Sequence, residues 1–277
     1  MFKILAALLM LIDHIVYIFQ ENFTPEHYLI GRSIGRLAFP MFAYALARGY
    51  NRTSNVFRYF LRLACFALLT QLLFNQTTSA LQYARFNFYN VLITFTLAFA
   101  ILIGMDLIEN SSLDMMINLR PLTSEGEITK RFSPGGITLP RNTGIVLGIL
   151  VILLSIIVCI ALDPDYSLYG IVTVVIFQRI DRIEEPYKST LRKDLKRRRW
   201  LFCFIAFALL NLSYALALVS TYGNQYSSWI QAISTGAVVF FPLYESSKKP
   251  KQWEKYFFYS FYPIHFVLLL YLRSIIL

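Results

Sequence analysis

The chain has 277 residues, of which 57% are apolar and only 15% are charged, and its formal net charge is +10. A soluble domain carries about a quarter charged residues, so this composition excludes an ordinary soluble fold. The apolar residues come in repeated runs, and about 20 helical residues cross a hydrocarbon core of roughly 30 Å. The sequence therefore predicts an all-α, polytopic membrane protein.

Hydropathy predicts about nine spans in a single transmembrane domain over residues 1–277. The predicted spans are 2–19, 31–49, 56–75, 87–108, 143–162, 166–181, 200–221, 228–244 and 256–277. With a cytoplasmic N-terminus, most of the 26 Lys and Arg residues fall in cytoplasmic segments, as the positive-inside rule requires. The positive charge is then explained by topology and by anionic lipid, which disfavours a nucleic-acid partner.

The first predicted span carries ionisable residues in an apolar run. It has no small-residue cleavage site after it and is expected to be a retained span rather than a signal peptide. Lys3 and His14 are about three helical turns apart, so they share one face and lie about 16 Å apart along the axis. Asp13 precedes the histidine. Either this face lines a reaction chamber, or Asp13 and His14 simply lie in the outer interface.

The second predicted span carries two arginines near its outer end, where the positive-inside rule disfavours them. Arg32 and Arg36 are four residues apart and share a helical face. Arg32 is expected to snorkel to the interface. Arg36 lies deeper and is a candidate site residue. Pro40 is expected to kink this helix and free a carbonyl group for a cavity.

Basic residues flank the loop between the second and third spans. Arg48, Arg52, Arg58 and Arg62 form a cluster suited to phosphate groups. The positive-inside rule explains the positions of Arg48 and Arg58 as well as phosphate binding does. Arg62 lies about two turns into the third span, where topology alone would not place it.

Two inner segments and two later polar residues complete the pattern. Segment 109–142 is rich in Pro and Gly and is predicted to be a loop. Segment 182–199 is predicted to be a basic interfacial helix that anchors to lipid head groups. Asn90 lies at the outer end of the fourth span, and His265 follows a proline among aromatic residues in the last span. A histidine in such surroundings is either a hydrogen-bonded core residue or a participant in chemistry. No nucleotide-binding loop and no metal-ligand pattern occurs.

The order and spacing of these motifs resemble a known family of membrane proteins. The first is a K-x(10)-H pattern with an aspartate before the histidine, and the second is GR-x(3)-P-x-F. The positions that carry the resemblance are Lys3, Asp13, His14, Gly35 to Phe42, Arg62-Leu63, Gln71, the NVLITF stretch at Asn90, Tyr169-Gly170, Asn211-Leu212 and the terminal Phe261-Tyr262-x-x-His265. Together they resemble the TraX family.

TraX proteins are the F-pilin acetylases of conjugation systems. Their K/R-x(10)-H signature is shared with a wider group of membrane-bound acyltransferases that take acyl groups from cytoplasmic acyl-CoA. The resemblance therefore implies an acetyl-CoA-dependent enzyme of the bacterial inner membrane. It implies acetyl-CoA as acyl donor and the N-terminal amine of a membrane-inserted pilin subunit as acceptor. The phosphates of coenzyme A would then meet Lys3, Arg52 and Arg62.

The resemblance and the helical spacing together suggest roles for the candidate catalytic residues. His14 is predicted to be the general base, with Asp13 or another carboxylate orienting its ring. Arg36 and Asn90 are candidates for stabilising the tetrahedral oxyanion. His265 is either a second proton relay or structural. Direct transfer and an acetyl-histidine intermediate both stay open.

Three other functions fit parts of the sequence. An O-acetyltransferase acting on a cell-surface polysaccharide or lipid keeps the chemistry and changes only the acceptor. A small-molecule transporter or flippase would also place His and Arg inside the membrane. Unequal spans without visible inverted symmetry count against a transporter. A non-catalytic scaffold gives no reason for Lys3 and His14 to share one inward face.

Overall fold

The computed structural model describes residues 2–53, 55–83, 88–110, 115–116, 138–139, 141–183, 192–245 and 252–276. Most of the described residues lie in helices. The α-helices are α1 (Phe2–Ile18), α2 (Pro25–Gly35), α3 (Ala38–Arg52), α4 (Val56–Ala80), α5 (Val91–Asn110), α6 (Arg141–Leu162), α7 (Ser167–Ile183), α8 (Arg192–Tyr222), α9 (Tyr226–Trp229), α10 (Phe241–Glu245) and α11 (Gln252–Ile276). Two 3₁₀ helices cover Gln20–Asn22 and Ile230–Phe240.

The apolar helices make this a membrane protein. Among the described residues, five helices are long and apolar enough to cross a bilayer: all of α4, Val91–Glu109 of α5, all of α6, Arg198–Tyr222 of α8 and Tyr259–Ile276 of α11. The other predicted spans coincide with shorter or interrupted helices. The helical fold is as predicted, while the span count and the side of the N-terminus stay predictions.

Two compact units make up the chain. Unit 1 comprises Met1–Ala47, Leu72–Asn87 and Ile176–Leu277. Unit 2 comprises Arg48–Gln71 and Phe88–Val175. His14 and His265 both belong to unit 1, so their geometry is that of one compact body. The prediction of a single domain stays a prediction.

Local sequence signals explain where several helices begin and end. Thr24 caps α2 by accepting a hydrogen bond from the backbone N–H of His27, and Pro25 takes the first helical position. Asn55 caps α4 in the same way, through the N–H of Arg58 at 2.8 Å. Gly223, with φ +85°, ends α8 in the left-handed conformation that glycine adopts without strain.

The second predicted span is interrupted one turn before the expected position. A turn at Arg36 and Leu37 separates α2 from α3. Pro40 is the third residue of α3, where a proline costs little because the first-turn N–H groups have no helical partner. The predicted kink at Pro40 is therefore wrong, and the break is the turn that precedes it. Arg36 lies at this break.

Two predicted inner segments lie partly outside the described residues. Of segment 109–142, the structure describes the end of α5, the start of α6 and two short strands, which pair antiparallel with Met115 opposite Leu139. Of segment 182–199, residues 184–191 lie outside the described residues. Residues 192–199 form the first two turns of α8, which has 31 residues and is about 46 Å long. The described part of this basic stretch thus continues into a long helix, and its anchoring to lipid head groups stays a prediction.

In unit 1, α1 and α11 pack side by side and run in the same direction. His14 contacts His265, and one turn further along α1 the carbonyl of Ile18 accepts a hydrogen bond from Arg273. Arg273 also binds both carboxylate oxygens of Glu21, at 2.6 and 3.0 Å. The residue numbers in these contacts increase along both helices, from His14 and His265 to Ile18 and Arg273, so the two helices are parallel. If both helices cross the bilayer, they cross it in the same sense, as the predicted topology requires.

In unit 2, glycines let α5 and α6 approach closely. A Cβ atom added at Gly148 would lie 2.6 Å from the carbonyl oxygen of Gly104, and one added at Gly104 would lie 2.7 Å from that of Gly148. Small residues at a crossing allow this kind of backbone contact between membrane helices. The backbones leave no space for a side chain at either position.

This crossing predicts a loss of stability on enlarging either glycine. Gly148→Val should lower the thermal unfolding midpoint in detergent, because the new side chain must push the two backbones apart, at a cost of about 1–3 kcal/mol. Leu150→Val on the same helix is the matched control, since Leu150 is 55% exposed. Equal midpoints for the two variants would contradict the close crossing.

Candidate active site

The side chains of α1 divide into faces of different environment. Its outward face carries Ile4, Leu8 and Ile12, which are 56%, 52% and 38% exposed. The opposite face is buried and consists of Phe2, Ala6, Leu9, Asp13 and Val16. Lys3, Met10 and His14 are half-buried and form a stripe between these two faces. His14 therefore does not lie on the most exposed face of α1.

The nearest polar partner of His14 is His265 of α11. Nδ1 of His14 lies 2.6 Å from Nε2 of His265, and the two rings lie edge to edge and nearly coplanar, with centroids 4.8 Å apart and planes inclined by 9°. On the other side of the second ring, Nδ1 of His265 lies 2.5 Å from the backbone carbonyl oxygen of Phe261. The two imidazoles and this carbonyl form a continuous chain of hydrogen bonds.

The carbonyl at the end of this chain determines which nitrogen carries each proton. A carbonyl oxygen can only accept, so Nδ1 of His265 must be the donor. In a neutral His265, Nε2 is then an acceptor, and Nδ1 of His14 must donate to it. Nε2 of a neutral His14 is left with its lone pair. Within the described part of the chain it makes no hydrogen bond, so it can accept a proton or attack a carbonyl carbon.

Aromatic rings enclose the histidine pair. Phe266 meets His14 edge to face at 5.3 Å, and Tyr262 lies 6.0 Å from it. Phe261 stacks on His265 at 4.8 Å, and His265 is only 5% exposed. Apolar walls restrict the ring rotamers and strengthen hydrogen bonds by keeping water out. The orientation of both imidazoles is therefore fixed by packing as well as by hydrogen bonding.

Next to the pair, Asp13 forms an ion pair with Arg32 of α2. Nη1 of Arg32 lies 2.7 Å from Oδ2 of Asp13, and the two side chains are only 13% and 12% exposed. The guanidinium of Arg32 also lies over the ring of Tyr17, at 4.9 Å. Both Arg32 and Arg36 are close enough to interact electrostatically with Asp13 and His14. Two positive groups thus surround one carboxylate beside the imidazole.

This ion pair changes the roles expected for two residues. Asp13 was expected to orient the ring of His14, but its carboxylate binds Arg32, and His265 takes the position at Nδ1 of His14. Arg32 was expected to snorkel to the interface, but its side chain turns inward to the carboxylate. The signal in the sequence was a buried acid and an arginine on adjacent helices, since isolated charges in a membrane require a partner.

Asn90 has a structural role in unit 2. Its Oδ1 accepts the backbone N–H of Leu92 at 3.0 Å and so caps α5. Its side-chain amide donates to the carbonyl of Ala67 at 3.0 Å and to Oε1 of Gln71 at 2.9 Å. Both amide protons are therefore engaged within unit 2. This geometry gives no support to the expected role of Asn90 in stabilising an oxyanion.

The predicted phosphate-binding residues are spread over both units. Lys3 is the second residue of α1 in unit 1 and is half-buried. Arg52 is the exposed last residue of α3, and half-buried Arg62 lies over the ring of Tyr59 at 5.2 Å, both in unit 2. His27 is exposed, and its Nδ1 lies 2.7 Å from Oγ1 of Thr24. The role of the three basic residues stays a prediction.

The whole chain resembles one family of proteins. The family described as TraX protein matches this chain over residues 1–273, which include every residue of the candidate site. The chain belongs to the TraX family. The resemblance inferred from the order of the motifs is thereby confirmed. No curated protein and no solved structure shows significant similarity to this TraX chain.

The hydrogen-bond chain predicts the tautomer of each histidine in this TraX protein. The sequence contains only three histidines, so a ¹⁵N-histidine-labelled sample in detergent gives few ring signals, and His27→Ala assigns one set. His14 and His265 should both carry their proton on Nδ1. In His265→Ala, the signals of His14 should shift because its Nδ1–H loses its acceptor. A proton on Nε2 of neutral His14 in the unaltered protein would contradict this arrangement.

Proposed function

We propose that this TraX protein is a membrane-bound acetyltransferase that moves an acetyl group from cytoplasmic acetyl-CoA to an acceptor at or across the bacterial inner membrane. The acceptor that fits the family best is the N-terminal amine of a pilin subunit. The observation that carries the proposal is Nε2 of His14, which makes no hydrogen bond within the described residues and lies at the end of the hydrogen-bond chain through His265 to the Phe261 carbonyl. Membership of the conjugation-associated TraX family supports the pilin-related role.

In the proposed reaction, His14 is the general base. The acceptor amine attacks the thioester carbonyl carbon while Nε2 of His14 removes a proton from the amine nitrogen. The carbon–sulfur bond then breaks, and the proton returns from His14 to the departing thiolate. The products are the acetylated amine and coenzyme A. While His14 carries the extra proton, its Nδ1–H still donates to His265, which therefore stabilises the imidazolium.

The two neighbouring arginines suit the charges that develop in this reaction. Positive charge from Arg32 and Arg36 favours the neutral form of an approaching amine, which is the form that can attack. The same charge stabilises the oxyanion of the tetrahedral intermediate. Arg36, at the break between α2 and α3, is close enough to interact electrostatically with His14 and is the candidate for contact with the oxyanion.

The donor is expected to approach from the cytoplasmic side. Lys3 and His14 lie on one stripe of α1, and their separation of about 16 Å is comparable with the reach of the pantetheine arm of coenzyme A. In this proposal Lys3 binds a phosphate of the nucleotide, and Arg52 and Arg62 supply further positive charge. The thioester would then arrive beside His14.

The proposal predicts the effect of removing the base. His14→Ala should lower the rate of acetyl transfer from labelled acetyl-CoA by at least about a hundredfold, which is the scale of general-base catalysis. His27→Ala is the matched control, because His27 is exposed and lies outside the site. Mass spectrometry of acceptors offered in parallel, a pilin N-terminal peptide and a polysaccharide hydroxyl, identifies the acetylated group.

These measurements separate the parts of the proposal. A His14→Ala enzyme as active as the wild type would remove His14 from the chemistry. Acetylation of the hydroxyl acceptor alone would support acetyltransferase activity but would show that the acceptor is a hydroxyl and not the pilin amine. Absence of any acetyl transfer by the intact protein, with transport of a small molecule instead, would favour the transporter.

Charge reversal separates donor binding from chemistry. Arg62→Glu should raise the KM for acetyl-CoA with little change in kcat, because a lost phosphate contact weakens binding without affecting the reacting atoms. Arg141→Glu is the matched control, because it makes the same charge change at an exposed position of the same unit, outside the predicted phosphate-binding cluster. An unchanged KM with a reduced kcat for Arg62→Glu would place Arg62 away from the donor.

A further inference from the structure

The carboxylate of Asp13 fits into a notch in the surface of α2. The notch exists because residue 35 is glycine: a Cβ atom there would overlap Cβ, Cγ and Oδ1 of Asp13. One turn earlier, a Cβ atom at Gly31 would lie 2.5 Å from Cγ2 of Val16. These two glycines let α1 and α2 approach closely at two successive turns, as in the close helix pairs of membrane proteins.

The ion pair fixes the position of α1 relative to α2 at this contact. Arg32, between the two glycines, holds Oδ2 of Asp13 at 2.7 Å. Oδ1 is buried against Gly35 and receives no hydrogen bond from the described residues. The carboxylate is therefore fixed by one ion pair and by packing, and not by contact with His14.

The position of Asp13 determines the position of His14, because the two residues are adjacent on one rigid helix. A rotation or shift of α1 that moved Asp13 out of the notch would turn His14 by the same angle about the helix axis. The separation of 2.6 Å between His14 and His265 tolerates little displacement. A shift of about 1 Å at a catalytic group is enough to reduce a rate about a hundredfold.

We infer that Gly35 and Arg32 are positioning residues: they hold Asp13 in the notch and thereby fix the rotation of α1 that aligns His14 with His265. The inference rests on the proposed acetyltransferase function. It assigns to Gly35 and Arg32 a role in kcat, exerted through Asp13 and not by contact with either substrate.

Gly35→Ala tests the inference without removing a charge. The new methyl group should displace Asp13, lower kcat about a hundredfold, leave the KM for acetyl-CoA unchanged, and shift the ¹⁵N signals of His14. Gly236→Ala is the matched control, because among the described residues a Cβ atom there meets only Leu37, at an ordinary 3.5 Å. The control should keep wild-type kcat and His14 signals.

A second variant covers the possibility that Gly35→Ala fails to fold. Asp13→Leu combined with Arg32→Leu removes both charges together, so neither is left buried and unpaired. The folded double variant should show a reduced kcat, an unchanged KM and shifted His14 signals. Arg32→Lys, which keeps the positive charge, should retain more activity than the double variant.

Two results would overturn the inference while leaving the proposed function intact. One is a Gly35→Ala enzyme with wild-type kcat and unshifted His14 signals beside an inactive His14→Ala enzyme. The other is a folded double variant with wild-type kcat. Full activity of His14→Ala would instead remove the proposed function, whatever the result at Gly35.

Discussion

The structure of the site depends on one hydrogen bond, from Nδ1 of His14 to Nε2 of His265. An imidazole among apolar groups needs a partner for its N–H, and here that partner is itself fixed by the carbonyl of Phe261. The bond holds one nitrogen of His14 as a donor and leaves the other nitrogen with its lone pair. It also requires α1 and α11 to lie side by side, and the contacts of Arg273 with Ile18 and Glu21 support that arrangement.

A second constraint comes from the charges around this pair. The Asp13–Arg32 ion pair offsets the cost of burying either group alone, and it ties α2 to the same helix that carries His14. The turn at Arg36 then places a further positive group near the imidazole. Two helices thus contribute to one feature of the site: α11 sets the tautomer of His14, and α2 holds Asp13, its neighbour on α1.

Much of this arrangement could be predicted from the sequence, because it depends on local spacing. The helical character, the shared face of Lys3 and His14, and the family followed from periodicity and from the order of the motifs. The partner of His14 could not be predicted, since it lies 251 residues away and depends on how α1 and α11 pack. The helix cap formed by Asn90 could not be predicted either, because an amide at the end of a span can serve as a cap or as a site residue. The effect of Pro40 depends on where α3 begins, and local spacing does not determine that position.

The most direct measurement of the central claim is an experimental density map of the protein with a non-reactive acetyl-CoA analogue. We expect the carbonyl carbon of the analogue to lie within about 4 Å of Nε2 of His14, close to the 3–3.5 Å of a near-attack arrangement. We also expect His14 to keep its hydrogen bond to His265 in that complex. An analogue bound with its acyl group away from both histidines would contradict the assignment of His14 as the base.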